Sequence, residues 1–94
     1  MQNSSILNEA ENLVNGARQD YYDHPLDNFT RIAKIWSVIL DKEVTPEQVG
    51  LCMVGMKIAR ESFVHKRDNL VDGAGYFYTI QLAMEEAERR VSKS

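Results

Sequence analysis

Lys57-Ile58-Ala59-Arg60-Glu61-Ser62-Phe63-Val64-His65-Lys66-Arg67-Asp68-Asn69-Leu70-Val71-Asp72-Gly73-Ala74-Gly75-Tyr76 is the stretch whose reading decides the fold. Apolar residues keep a helical rhythm on both sides of His65-Lys66-Arg67, so the stretch reads as the end of one helix, a short polar corner and the start of another. Lys57 and Arg60 are three apart and share a face of the first helix. Asp68, Asp72 and Tyr76 are four apart and form a row on the second. If the two helices pack antiparallel, the cationic ends and the acid-and-phenol row face each other near the corner. Such a site can grip phosphate, or a metal and phosphate together. The competing reading is a surface salt-bridge cluster at a helix corner.

On the C-terminal side, Asp68 or Asn69 is placed to cap the fourth helix. Leu70, Val71, Ala74, Phe77, Tyr78, Gln81, Leu82, Met84, Ala87 and Val91 cover more than half its circumference. A helix that apolar is central in a bundle or faces a partner chain. On the N-terminal side, Thr45-Pro46-Glu47-Gln48 is a capping box with proline at the first helical position. The third helix that follows carries Val49, Cys52, Met53, Met56, Ala59, Arg60 and Phe63 on one expected core side. Gly50 and Gly55 inside it each cost about 1 kcal/mol relative to alanine, which points to close approach by another backbone.

A second helix is expected from about Pro25 to Leu40, with Leu26, Phe29, Ile32, Ala33, Trp36, Ile39 and Leu40 inward and His24 or Asp23 as cap. The first helix starts at Ser4 or Ser5, carries Ile6, Leu7, Ala10, Leu13 and Val14, and stops near Gly16. Between them Tyr21 and Tyr22 either lid the core or offer a flat ring to a base. The fold expected is all-α: one compact four-helix bundle over residues 1–94, with helices three and four as a long antiparallel hairpin. Residues 1–4 and 92–94 are expected to fray.

Composition narrows the function classes. The 94 residues carry a net charge of −3 and no long basic stripe, which argues against polymeric nucleic acid. No apolar run is long enough for a membrane span, and the N-terminus lacks a signal-peptide pattern, so a cytoplasmic location is expected. Cys52 is alone and fits a small core residue in a reducing compartment. A domain this short buries a modest core, and its wide apolar faces suggest a homo-oligomer, dimer or higher.

Tyr22-Asp23-His24-Pro25-Leu26-Asp27-Asn28-Phe29, then Arg31-Ile32-Ala33 and Trp36-Ser37, resembles the front half of a family of short phage and prophage proteins catalogued as a domain of unknown function. Lys57-Ile58-Ala59-Arg60-Glu61, Lys66-Arg67-Asp68-Asn69-Leu70-Val71-Asp72 and Gly75-Tyr76 resemble its back half. The resemblance covers about residues 6–83 and implies a host-cell cytoplasmic setting. A weaker resemblance is to MazG-like all-α nucleotide pyrophosphohydrolases, which hold magnesium on carboxylate pairs from two adjacent helices. Asp68 and Asp72 stand for one such pair, at a spacing of four rather than three, and no convincing second pair is present.

Three functions follow as expectations. The first is a non-catalytic binder of a nucleotide or cyclic nucleotide, with no cofactor, that sequesters a host immune nucleotide signal. Arg18, Lys57, Arg60, Lys66 and Arg67 would meet phosphate. Tyr21, Tyr22, His24, Asn28, Asn69 and Tyr76 would contact the base. The second is a magnesium-dependent hydrolase with Asp68 and Asp72 on the metal. The third is a protein-binding inhibitor or interaction module, which needs only an apolar patch.

Overall fold

The computed structural model describes residues 5–16 and 23–93. The described residues form four helices: α1 (Ile6–Asn15), α2 (Pro25–Leu40), α3 (Pro46–Phe63) and α4 (Arg67–Lys93). No strand occurs among the described residues. The most extensive packing is between α3 and α4, the expected antiparallel hairpin. α2 lies against both of them, whereas α1 touches α4 alone.

The helix starts follow local chemistry. Ser5 Oγ accepts the Leu7 N–H at 3.1 Å, and His24 Nδ1 accepts the Leu26 N–H at 3.0 Å ahead of Pro25. Thr45 Oγ1 accepts from Gln48 N–H at 3.2 Å, while Gln48 Oε1 accepts from Thr45 N–H at 3.0 Å. Both arms of the capping box are therefore made. Asp41 closes α2 in the left-handed region, at φ 52°. Ser37 Oγ then accepts the Val44 N–H at 2.8 Å, which ties the connection back onto α2.

Phe29 and Ala33 of α2, Val49 of α3 and Ile80 of α4 form the centre of the core. Trp36, Met53 and Tyr76 pack around it, half-buried. Full burial of a large apolar side chain stabilises by about 1.5–3 kcal/mol, so these few residues dominate. Gly50 is what lets them meet. A Cβ at Gly50 would lie 2.3 Å from Ile80 Cγ1 and 3.1 Å from Phe29 Cε2. Gly75 does the same, less tightly, for α1: a Cβ there would stand 3.6 Å from Val14 Cγ2.

Core assignments made from periodicity are corrected on three helices, and on α2 Ile39 and Leu40, expected inside, are 71 and 62 % exposed. On α3 the buried side is Val49, Gly50 and Val54, because the helix rolls Gly50 onto Ile80; Cys52 and Ala59 are exposed. Phe63, expected inside, is 90 % exposed, since it lies on the last turn beyond the reach of α2. On α4 the buried side is Val71, Gly75, Thr79, Ile80 and Ala83, and Leu70, Phe77, Met84 and Val91 face outward. The charged C-terminal segment is helical to Lys93. There Arg90 grips the Asp27 carboxylate with two bonds, at 2.8 and 3.0 Å, and joins α4 to the start of α2.

Candidate functional site

The antiparallel turn of α3 into α4 places Lys57, Arg60, Phe63, Lys66, Asp68 and Asp72 around one open depression. The two rows named from spacing thus meet, except for Tyr76. That side chain packs against the core cluster and lines a crevice toward α1.

The charges in the depression are not equivalent. Lys57 Nζ sits 2.9 Å from Asp72 Oδ2, and its side chain is only 14 % exposed. This ion pair forms the inner wall and is already satisfied. Arg60, Lys66 and Asp68 have exposed side chains with no partner among the described residues. Phe63 lines the same depression with most of its surface in water. Two free cations beside a bare aromatic ring suit a ligand that joins an anionic group to a flat apolar one. Periodicity hid Phe63 because it falls in register with an apolar stripe. Its place at the last residue of α3, next to the basic corner, was the available signal.

The corner is braced by Glu61. Its Oε1 accepts the backbone N–H of Lys66 at 3.0 Å and Nδ2 of Asn69 at 3.1 Å, and its Oε2 pairs with His65 Nδ1. α4 begins at Arg67, so Asp68 and Asn69 lie within its first turn instead of capping it, and the α3 carboxylate holds the N–H of the residue just before the helix. Asn69 is buried as part of that brace, although its residue still borders the depression. Hydrogen bonds from His65, Lys66 and Asn69 hold the Glu61 carboxyl below its usual value of 4.5. A carboxyl depressed in the folded state stabilises fully above its unfolded value, and that contribution is lost as pH falls through the folded one. Stability measured by urea midpoint is therefore expected to fall more steeply below pH 4.5 in the native chain than in Glu61→Gln.

The remaining residues named from sequence lie elsewhere. Arg67 turns from the depression to pair with Glu9 of α1. His24 is engaged as the α2 cap, and Asn28 is half-buried in the first turn of α2; neither lines the depression. Arg18, Tyr21 and Tyr22 fall outside the described residues.

The model of a family described as a domain of unknown function (DUF6378) matches residues 5–84. The chain is 41 % identical over 83 residues to the Gene 55 protein of Mycobacterium phage D29, covering 87 % of this chain and 55 % of that protein. It is 39 % identical over 89 residues to the Gene 55 protein of Mycobacterium phage L5, covering 90 % of this chain and 56 % of that one. The chain thus spans little more than half the length of these relatives. No solved structure matches it. None of these matches carries the MazG resemblance. Among the described residues no group of three His, Cys, Asp or Glu side chains is placed to hold a metal ion. No helix of the described residues is long and apolar enough to cross a membrane.

Proposed function

The chain belongs to the DUF6378 family, whose name carries no activity, and from the α3–α4 corner we propose that it binds a small nucleotide without turning it over. The observation that carries this reading is the pair Arg60 and Lys66, unpartnered among the described residues, beside the bare ring of Phe63 in one depression. Arg60 offers a planar fork for phosphate, Lys66 a mobile point charge, and Phe63 a face for the base. Asp68 and the backbone of the corner stand where a base edge or ribose hydroxyl would be read. The Lys57–Asp72 pair adds no net charge and fixes the inner wall.

Binding is favoured over turnover by the donor set. In-line phosphoryl chemistry on two metals needs several convergent carboxylates, and Asp72 is committed to Lys57. The relatives named above are phage proteins. In that setting a non-catalytic binder would serve to sequester a nucleotide signal of the host's immune response. Such a protein would work in the cytoplasm of the infected cell.

Titration calorimetry against mono-, cyclic di- and cyclic trinucleotides tests the reading, with inorganic phosphate and pyrophosphate as bare-anion controls. At least one nucleotide is expected to bind at micromolar concentration, more tightly than either bare anion. Absence of binding by every member at roughly 100 μM removes the proposal. Release of phosphate or pyrophosphate on incubation with Mg²⁺ would replace it with the hydrolase reading.

A further inference from the structure

α4 carries a second feature that the nucleotide reading leaves unused. Leu70, Phe77, Met84 and Val91 recur every seven residues and are 39, 57, 51 and 75 % exposed. At about 1.5 Å per residue they draw an apolar stripe roughly 30 Å long down the side of α4 turned away from the core. Ile58 of α3, 64 % exposed, widens it. Together these five leave on the order of 500 Å² of apolar surface in water, near the upper end of what a monomer shows in one patch.

We propose that this face docks on the same face of a second copy of the chain, with the two α4 helices antiparallel. Three observations favour a second copy over an unrelated partner. The first is the symmetry of the stripe: turned end for end, it sets Leu70 against Val91, Ala74 against Ala87 and Phe77 against Met84. Each pair joins side chains of like size, and the small pairs are alanines. The second is relief. Hollows lie in both halves of the stripe, one floored by Gly73 and Ala74 between Leu70, Phe77 and Ile58, the other by Ala87 between Met84 and Val91. Under the two-fold operation the two hollows face each other, which lets the helices approach closely at the alanines. The third is area. Two such patches, when covered, bury about 1,000 Å² of apolar surface before any flanking polar residue is added, the threshold for a specific interface.

Gly73 fits the same picture. A Cβ there would meet only Lys57 Cβ, at an ordinary 4.0 Å, so the packing of α3 on α4 does not demand a glycine. A partner helix crossing close over Gly73 and Ala74 does.

The test is the solution mass of the full chain by light scattering or sedimentation. A mass twice the 10.8 kDa of one chain is expected. Phe77→Glu should yield a monomer with unchanged helical circular dichroism, because Phe77 contributes little to the fold of one copy. Val38→Glu, a change at a still more exposed apolar site on α2, should leave the dimer intact. In a Cys52→Ser background, mixed Ala74→Cys and Ala87→Cys proteins should form a disulfide-linked pair faster than either forms with itself. A native chain that stays monomeric at roughly 100 μM overturns the proposal. So does a dimer indifferent to Phe77→Glu, one broken by Val38→Glu instead, or cross-linking of each cysteine variant only with itself.

Discussion

Gly50→Ala is expected to destabilise the protein by about 2 kcal/mol and to lower its thermal midpoint by about 10 °C. Helix propensity alone predicts the opposite, a gain of about 1 kcal/mol. The packing overrides it. The added methyl would stand 2.3 and 2.8 Å from two carbons of Ile80 and 3.1 Å from Phe29. Both residues are buried at the centre of the core, so neither can swing into solvent. Gly55 is the control on the same helix. It is exposed, and nothing lies within 4 Å of a Cβ built there. Gly55→Ala is therefore expected to stabilise by about 1 kcal/mol and raise the midpoint by about 5 °C. Thermal melts of the two variants decide the matter. Two shifts of the same sign would show that α3 is not rolled with Gly50 onto Ile80.

Reversing both free cations, Arg60→Glu with Lys66→Glu, is expected to weaken nucleotide binding at least 100-fold, a loss of about 2.7 kcal/mol. Both side chains are exposed and unpartnered among the described residues, so stability should change by less than about 0.5 kcal/mol. Phe63→Ala is expected to cost about tenfold in affinity, again with little effect on folding, if the ring stacks on a base. Arg67→Ala separates the site from its surroundings. Its guanidinium pairs with Glu9, so the change should weaken the seating of α1 and spare the ligand. Calorimetry with a nucleotide that the native chain binds, paired with a melt of each variant, reads all three. Equal affinity in the double variant and the native chain would place the phosphate elsewhere.

How far the sequence carried can be judged residue by residue. Thr45-Pro46-Glu47-Gln48 and His24-Pro25 placed two helix starts to the residue, because capping is chemistry within four positions of the chain. The α3–α4 hairpin was legible for a similar reason: a polar corner between two periodic runs admits few other readings. Which face turned inward was not legible. Periodicity put Val49, Cys52, Met53, Met56 and Phe63 of α3 on one inward side, whereas the buried side is turned toward Gly50 and Val54. The choice is made by Gly50, whose missing side chain admits Ile80 from a helix thirty positions on. α4 posed the same ambiguity, with Val71 and Ile80 inside and Leu70 and Phe77 outside. At the site, spacing brought Lys57, Arg60, Asp68 and Asp72 together correctly. It could not foresee that Lys57 and Asp72 would satisfy each other, or that Glu61 would take Asn69 for the corner.

Among the described residues α1 packs on α4 alone, through Ala10 and Val14 over Gly75, the Arg67–Glu9 pair, and a 3.2 Å bond from Tyr78 Oη to Asn15. Ten residues are too few to hold a helix unaided in water, so leaving α4 and losing helical structure are one event for this segment. The amides of residues 10–15 should then trade their hydrogens for deuterium through a partial opening well below the energy of global unfolding, while those of Val49 to Val54 exchange only when the whole chain comes apart.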